Sequence, residues 1–436
     1  MAEKVTFSSV IKNRGFLNLW INQILVQLSY NSLNFALILW VFSLTNSNTA
    51  VSALLFAIYL PAVILGLFAG VLVDVIDRKK IILTINILLS ISFFSLIFLK
   101  TSFPAILLVA FFVNALGQFY APAEASAIPL IVKRRELIAA NSIFSATLYC
   151  CFLLGFGLAG PLINYLGIDF VFGLEGVALA VGFILALAFP SIMAIPDEGG
   201  KKLIFALRKR RYFEIKQVGL FEIIKTIRLI RGKLTVLTSI GILAGIQMVV
   251  GILAVLVPGF LENSLHIKPT DASYVLVIPL GVGIVTGGLI LGRIAHKFVK
   301  RQLVSRAIVF GGLLFFLVGV VPLSKVLVVG SFLLGIAMVS ILVPTQTVLQ
   351  ENTPEASRGK VFSVLGVAMA ALSLVPVFLA GILADLFGTT PIFMGLGVVI
   401  MLIGLFGLKP GLFFPGKILP DKTKEFLGMG NWSDKN

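Results

Sequence analysis

Apolar residues fall into long runs broken by short polar stretches, without the two-residue alternation that barrel strands show. A membrane-spanning helix needs about 20 predominantly apolar residues. Twelve segments fit that requirement: 16–43, 50–73, 81–99, 103–125, 137–165, 170–190, 234–261, 272–294, 303–321, 326–349, 361–386 and 391–408. Backbone groups in lipid must be satisfied within their own segment, so runs of this length predict helices. The pattern therefore predicts an all-α integral membrane protein of twelve transmembrane helices in two six-helix halves. The longest polar stretch divides them, giving a first half at 1–190, a cytoplasmic basic linker at 191–233, a second half at 234–409 and a tail at 410–436.

Composition agrees, with 58% hydrophobic residues, 12% charged and a mean hydropathy of +1.07. The net charge of +16 is explained by where the cations fall. Of the 35 Lys and Arg, only Lys100, Lys268 and Lys325 occupy one set of alternate loops, and all the others occupy the opposite set. Cationic loops stay on the cytoplasmic side. Both termini and the linker are therefore expected in the cytoplasm, with the chain multi-pass in the plasma (inner) membrane, and the charge no longer argues for nucleic acid. The linker interleaves Arg208, Lys209, Arg210 and Arg211 with Leu203, Leu207 and Ile215, which suits either an amphipathic helix on anionic lipid or a plain tether. The first apolar run is too long for a cleaved signal peptide.

Cys150 and Cys151 are adjacent inside an apolar run, so neither a disulfide framework nor a metal cluster is expected. His266 and His296 are the only histidines, both in loops, and no nucleophile and base accompany them. Enzyme chemistry and cofactors are not expected.

An internal repeat supports the two halves. Leu158-Ala159-Gly160-Pro161-Leu162, followed by Gly167, recurs 221 residues later as Leu379-Ala380-Gly381-Ile382-Leu383, followed by Gly388. Pro122 pairs with Pro344 and Gly70 with Gly288 at nearly the same offset. Six spans is an even number, so the halves share one orientation, as in transporters built from parallel repeats.

One stretch between the second and third runs stands out: Gly70-Val71-Leu72-Val73-Asp74-Val75-Ile76-Asp77-Arg78-Lys79-Lys80. Asp74 falls at the C-terminal end of a helix, where the dipole disfavours a carboxylate, so a cation or another helix's N-terminus has to compensate it. Arg78 is one such partner. Gly70 lets a neighbouring helix come close enough to be latched. These residues resemble the loop between helices 2 and 3 of the major facilitator superfamily, with Asp77 standing where the general pattern has a second Gly. The Asp77-Arg78 pair is similar to the macrolide-efflux and siderophore-export branch. The stretch Pro354-Glu355-Ala356-Ser357-Arg358-Gly359-Lys360-Val361-Phe362 is similar to the same branch at the start of span eleven, whose positive end is the expected acceptor of Asp74. The repeat places Gly292 opposite Asp74, so this latch is single.

Within the spans, polar side chains are the functional candidates. Gln23, Gln27, Tyr30, Asn31 and Asn34 share one face of span one, which suits the lining of a wet cavity or hydrogen bonding between helices. Gln247 is their expected partner from the second half. Glu124 and Glu175 are the candidates for proton coupling, Glu124 having Lys133, Arg134 and Arg135 nearby as alternative ion-pair partners. The repeat counterpart of Glu124 is Gln346, which cannot titrate. Asp169, Glu262, Asp271 and Asp385 are expected near the outer surface and solvated. Gly155, Gly160 and Pro161 resemble the glycine-proline signature of drug exporters and would bend span five.

The resemblance implies a monomeric exporter of lipophilic or amphipathic small molecules, working by alternating access as a proton antiporter among membrane lipids. A lipid or siderophore transporter, with or without proton coupling, and a non-transporting sensor or scaffold are the alternatives.

Overall fold

The computed structural model describes residues 10–73, 76–189, 233–294, 299–353, 358–409 and 413. Among these, twelve helices are long and apolar enough to cross a membrane. The first six are α1 (Arg14–Thr45), α2 (Asn48–Val73), α3 (Arg78–Leu99), α4 (Phe103–Ile131), α5 (Leu137–Leu166) and α6 (Ile168–Leu187). The others are α7 (Leu234–Leu265), α8 (Ile278–Ile294), α9 (Lys300–Val320), α10 (Ser324–Glu351), α11 (Arg358–Phe387) and α12 (Thr389–Gly407). A 3₁₀ turn at Pro269–Asp271 and a π turn at Ser273–Val277 lead into α8. Of the linker only Lys233 is described, and of the tail only Phe413.

We call the end of the bundle where α1 begins the proximal face and the opposite end the distal face. In the first group α1 packs on α5 and α6, α3 on α6 and α4, and α2 on α4. In the second α9 packs on α12 and α10, α8 on α10, and α7 on α11. Between the groups, α2 packs along α11 and α5 packs against the turns that lead into α8.

The repeat read from the sequence reappears as local geometry. Gly167 and Gly388 each end a helix with positive φ, at 82° and 86°. They allow a sharp reversal into α6 and α12 that a side chain would strain. Among the described residues two non-glycines have positive φ, Asn46 at 48° and His266 at 56°, and they cap α1 and α7 at equivalent places. The four unusual backbones thus form two pairs, related by nearly the offset of the sequence repeat.

Packing against lipid offers no hydrophobic gain between helices, so close backbone approach has to supply dispersion contacts. The α9–α12 crossing does this through glycines. A Cβ on Gly397 would come within 2.5 Å of the Phe316 nitrogen, one on Gly312 within 2.5 Å of the Met401 nitrogen, and one on Gly404 within 2.6 Å of the Val309 nitrogen. These neighbours are backbone atoms and cannot turn away. Gly397→Leu should therefore destabilise the second group by about 1–3 kcal/mol, read as a lower Tm in detergent. Gly395→Leu, two residues away where an added Cβ meets nothing within 4 Å, should leave Tm unchanged.

Candidate functional site

The loop between α2 and α3 braces the first helix group. Asp77 caps α3, its carboxylate accepting from the Lys79 backbone N–H at 3.0 Å. The Lys79 ammonium donates to the Leu187 and Phe189 carbonyls at 2.8 and 2.6 Å, so a cation sits where the α6 dipole is negative. Arg78 is buried, with Nε 3.4 Å from the Ser126 hydroxyl of α4. The loop's Asp77, Arg78 and Lys79 thus hold α3, α4 and α6 together. Asp74 lies outside the described residues, and so does the side chain of Arg358.

Glycines along the helices that meet between the groups show which end is shut. Near the distal face an added Cβ on Gly160 would fall 2.2 Å from the Thr270 carbonyl oxygen, and one on Gly381 would fall 2.0 Å from the Ser52 hydroxyl. A Cβ on Gly259 would lie 2.6 Å from the Asn48 side chain. Midway along α2, Gly66 is opposed by Val367 of α11 at 3.1 Å, whereas one turn later Gly70 meets nothing within 4 Å. Gly241, Gly245 and Gly366, at the proximal ends of α7 and α11, also face open space. Close contacts between the groups are therefore found at the distal face, and among the described residues none opposes these proximal glycines. At Gly70 an added Cβ meets no described residue within 4 Å.

The polar face of α1 divides between packing and opening. Gln23 is buried and donates to the Phe144 carbonyl of α5 at 3.1 Å, which ties two helices together. The Tyr30 hydroxyl donates to the Asn114 side chain of α4, whose amide in turn donates to Asn34 Oδ1 at 3.2 Å. Gln27 and Asn31 remain half-buried, Asn31 donating back to the Gln27 carbonyl at 2.7 Å. Gln247 reaches across from α7 and donates to the Tyr59 hydroxyl of α2 at 3.3 Å. Gln346 is half-buried on α10. Gly155 packs on α1, where a Cβ would lie 2.8 Å from Asn31 Cβ and 2.9 Å from the Ser32 nitrogen. Pro161 follows the tight contact at Gly160 and leaves the Gly157 carbonyl without its helical donor.

Both membrane carboxylates singled out above are buried within the first group. Glu124 Oε1 lies 3.0 Å from the Tyr120 hydroxyl, which lies 2.9 Å from Asn22 Oδ1. The Asn22 amide donates to the Gly182 carbonyl of α6 at 2.7 Å. That contact fixes the orientation of Asn22 and leaves its oxygen as an acceptor. Glu175 is buried with the Ser32 hydroxyl of α1 as its polar neighbour, the two lying outside strict hydrogen-bond geometry. Tyr120 and Asn22 carried no sequence signal as partners of Glu124 beyond the four-residue spacing of Tyr120.

Asp385 differs from its expectation. It is not merely solvated, since it accepts four hydrogen bonds from the start of α2.

The sequence profile of the Major Facilitator Superfamily matches residues 19–304 and 237–425. The macrolide efflux protein A of Streptococcus pyogenes is 22% identical over 401 residues, covering 89% of this chain and 94% of that protein. The multidrug efflux pump Tap of Mycolicibacterium fortuitum is 23% identical over 359 residues, covering 79% and 83%. Among solved structures, a peptide transporter POT superposes with a TM-score of 0.71 at 15% identity, covering 93% of this chain and 98% of that one. A D-xylose-proton symporter gives 0.66 at 15% identity, covering 91% and 98%. Both likenesses concern the fold. With a profile match spanning both helix groups, the chain belongs to the Major Facilitator Superfamily, and it is a multi-pass membrane transporter rather than an enzyme.

Proposed function

We propose that this transporter exports amphipathic or lipophilic small molecules from the cytoplasm by alternating access, in exchange for protons. The proximal face, which carries the Lys- and Arg-rich loops, is the cytoplasmic one. The conformation described above is then open to the cytoplasm and shut to the outside, ready to load. Segments 1–190 and 234–409 rock against each other as units. The names of the efflux relatives suit this substrate class.

The observation that carries proton coupling is the count of protons between Glu124, Tyr120 and Asn22. A hydroxyl has one proton to give. With Asn22 Oδ1 taking it, the Tyr120 oxygen presents only lone pairs to Glu124 Oε1, and their 3.0 Å contact is a hydrogen bond only if the carboxyl carries a proton. An ionised Glu124 instead draws the Tyr120 proton to itself and leaves Asn22 Oδ1 unpaired. The charge on Glu124 therefore decides whether Tyr120 of α4 stays bonded to Asn22 of α1, one of the contacts between these helices. Glu175, buried beside the Ser32 hydroxyl, is the second acid suited to carry a proton. Gln346 stands at the position equivalent to Glu124, so coupling belongs to the first half. The half-buried Gln27, Asn31 and Gln346, with Gln247, are the polar groups offered to substrate between the halves.

Closure on the cytoplasmic side brings Gly70 of α2 toward the start of α11, where Asp74 meets the positive helix end beside Arg358. No partner chain is needed for this cycle, and the protein acts as a monomer in the lipid.

Purified protein in vesicles holding a pH-sensitive dye, given a proton gradient and a panel of macrolides and lipophilic cations, tests the coupling. Drug-triggered proton movement is expected, and Glu124→Gln should abolish it while substrate binding persists within about threefold. Drug movement without proton flux in the unaltered protein would instead favour facilitated or lipid-like transport. Asp74→Asn should lower the transport rate about tenfold with expression unchanged, since removing the charge weakens the contact with the α11 start. Normal transport by well-folded Asp74→Asn protein would remove the latch.

A further inference from the structure

The distal seal is one device built twice. In one copy Ser273, ahead of α8, donates to the Phe156 carbonyl of α5 at 3.0 Å and accepts from the Gly160 N–H at 3.2 Å. In the other, Ser52 of α2 donates to the Val377 carbonyl of α11 at 3.0 Å. Phe156 and Val377 are 221 residues apart, as are Gly160 and Gly381, and Ser52 and Ser273. A serine of one helix thus enters the backbone of the other where a glycine admits it.

One turn beyond each glycine comes a side chain aimed at the start of the facing helix, and here the copies diverge. Asn164 accepts from the Thr270 hydroxyl at 2.6 Å and donates to Asp271 at 3.3 Å. Its equivalent is Asp385. The Asp385 carboxylate accepts from the Ser47 hydroxyl at 2.7 Å, from the Asn48 backbone and side-chain nitrogens at 2.8 and 2.9 Å, and from the Thr49 backbone nitrogen at 2.9 Å. Two of the four donors are first-turn N–H groups, which the helix itself leaves unsatisfied. The α2 dipole adds to the attraction. Asp385 also lies two residues from the C-terminal end of α11, where that helix's own dipole opposes a carboxylate. Separation of α2 from α11 would remove the compensation and leave the opposition.

We propose that Asp385 is the latch of the distal gate, opposite in effect to Asp74 and mounted on the same helix pair. Because α2 and α11 run antiparallel, each carries a carboxylate at its C-terminal end and offers an N-terminus to the other. Asp74 engages when the proximal face closes, and Asp385 when the distal face closes. In the α5–α8 pair the position equivalent to Asp385 is the uncharged Asn164, which meets Thr270 and Asp271 of the facing turn. On α11 the same position carries a carboxylate set directly against a helix start. Calling the distal gate the outer one rests on the orientation proposed above; the latch itself does not.

Spin labels at Ser43 and Phe387, both exposed near the distal face and on opposite helix groups, read the gate directly. They would be placed as cysteines in full-length protein carrying Cys150→Ser and Cys151→Ser, in nanodiscs, without substrate or proton gradient. Pulsed dipolar spectroscopy of the unaltered latch is expected to give one predominantly short distance. Asp385→Asn should raise the long-distance population about tenfold, as the loss of charge-assisted hydrogen bonds at a solvent-reached site predicts. Ser47→Ala, which removes a donor from the opposite helix group, should shift it in the same direction by less. Asn164→Ala should shift it less than Asp385→Asn. An unchanged distribution in monodisperse Asp385→Asn protein would overturn the proposal, as would a larger shift from Asn164→Ala. If Asp385→Asn does not fold, an unchanged distribution in Ser47→Ala overturns it instead. The readout needs no transport, so a failure of drug and proton exchange leaves this result standing.

Discussion

Closure of one end of the bundle depends on helices from opposite halves approaching until a hydroxyl of one can reach a backbone carbonyl of the other. Lipid offers no hydrophobic drive for that approach, so its free energy has to come from dispersion and hydrogen bonding at short range. Glycine is what permits it. At Gly160 and Gly381 a side chain would occupy the space of Thr270, Ser273, Asn48 and Ser52. The tightest contacts are made at the distal end, and by Gly70 no described residue lies within 4 Å of an added Cβ. A helix pair in close contact at its distal end is the observation on which the alternating access proposed above rests.

The two halves are alike in backbone and unlike in charge. Their helix ends turn at equivalent residues, Gly167 with Gly388 and Asn46 with His266. The buried acids Glu124 and Glu175 and the Asn22–Tyr120 chain all lie in the first half. The second half uses close glycine crossings, as between α9 and α12, and its Gln346 cannot titrate. Duplication explains the shared frame. Divergence of single residues, Glu124 from Gln346 and Asp385 from Asn164, makes the two halves chemically unlike.

Twelve spans, their parity and the repeat were legible because lipid imposes one local requirement, an apolar run long enough to cross with its backbone satisfied. The sequence by itself therefore determined the number of helices, the family and the pairing of Gly160 with Gly381, since each is written in consecutive residues. It did not determine which polar groups meet. Gln23, read as part of a cavity face, is spent on the Phe144 carbonyl, and Lys79 caps α6 from more than 100 residues away. Asp385 looked like a solvated surface acid because its four donors come from a helix start far back in the chain. Hydrogen-bond partners are set by distances of about 3 Å between segments that sequence spacing does not relate. The tertiary structure alone decided them, and with them which end of the transporter is shut.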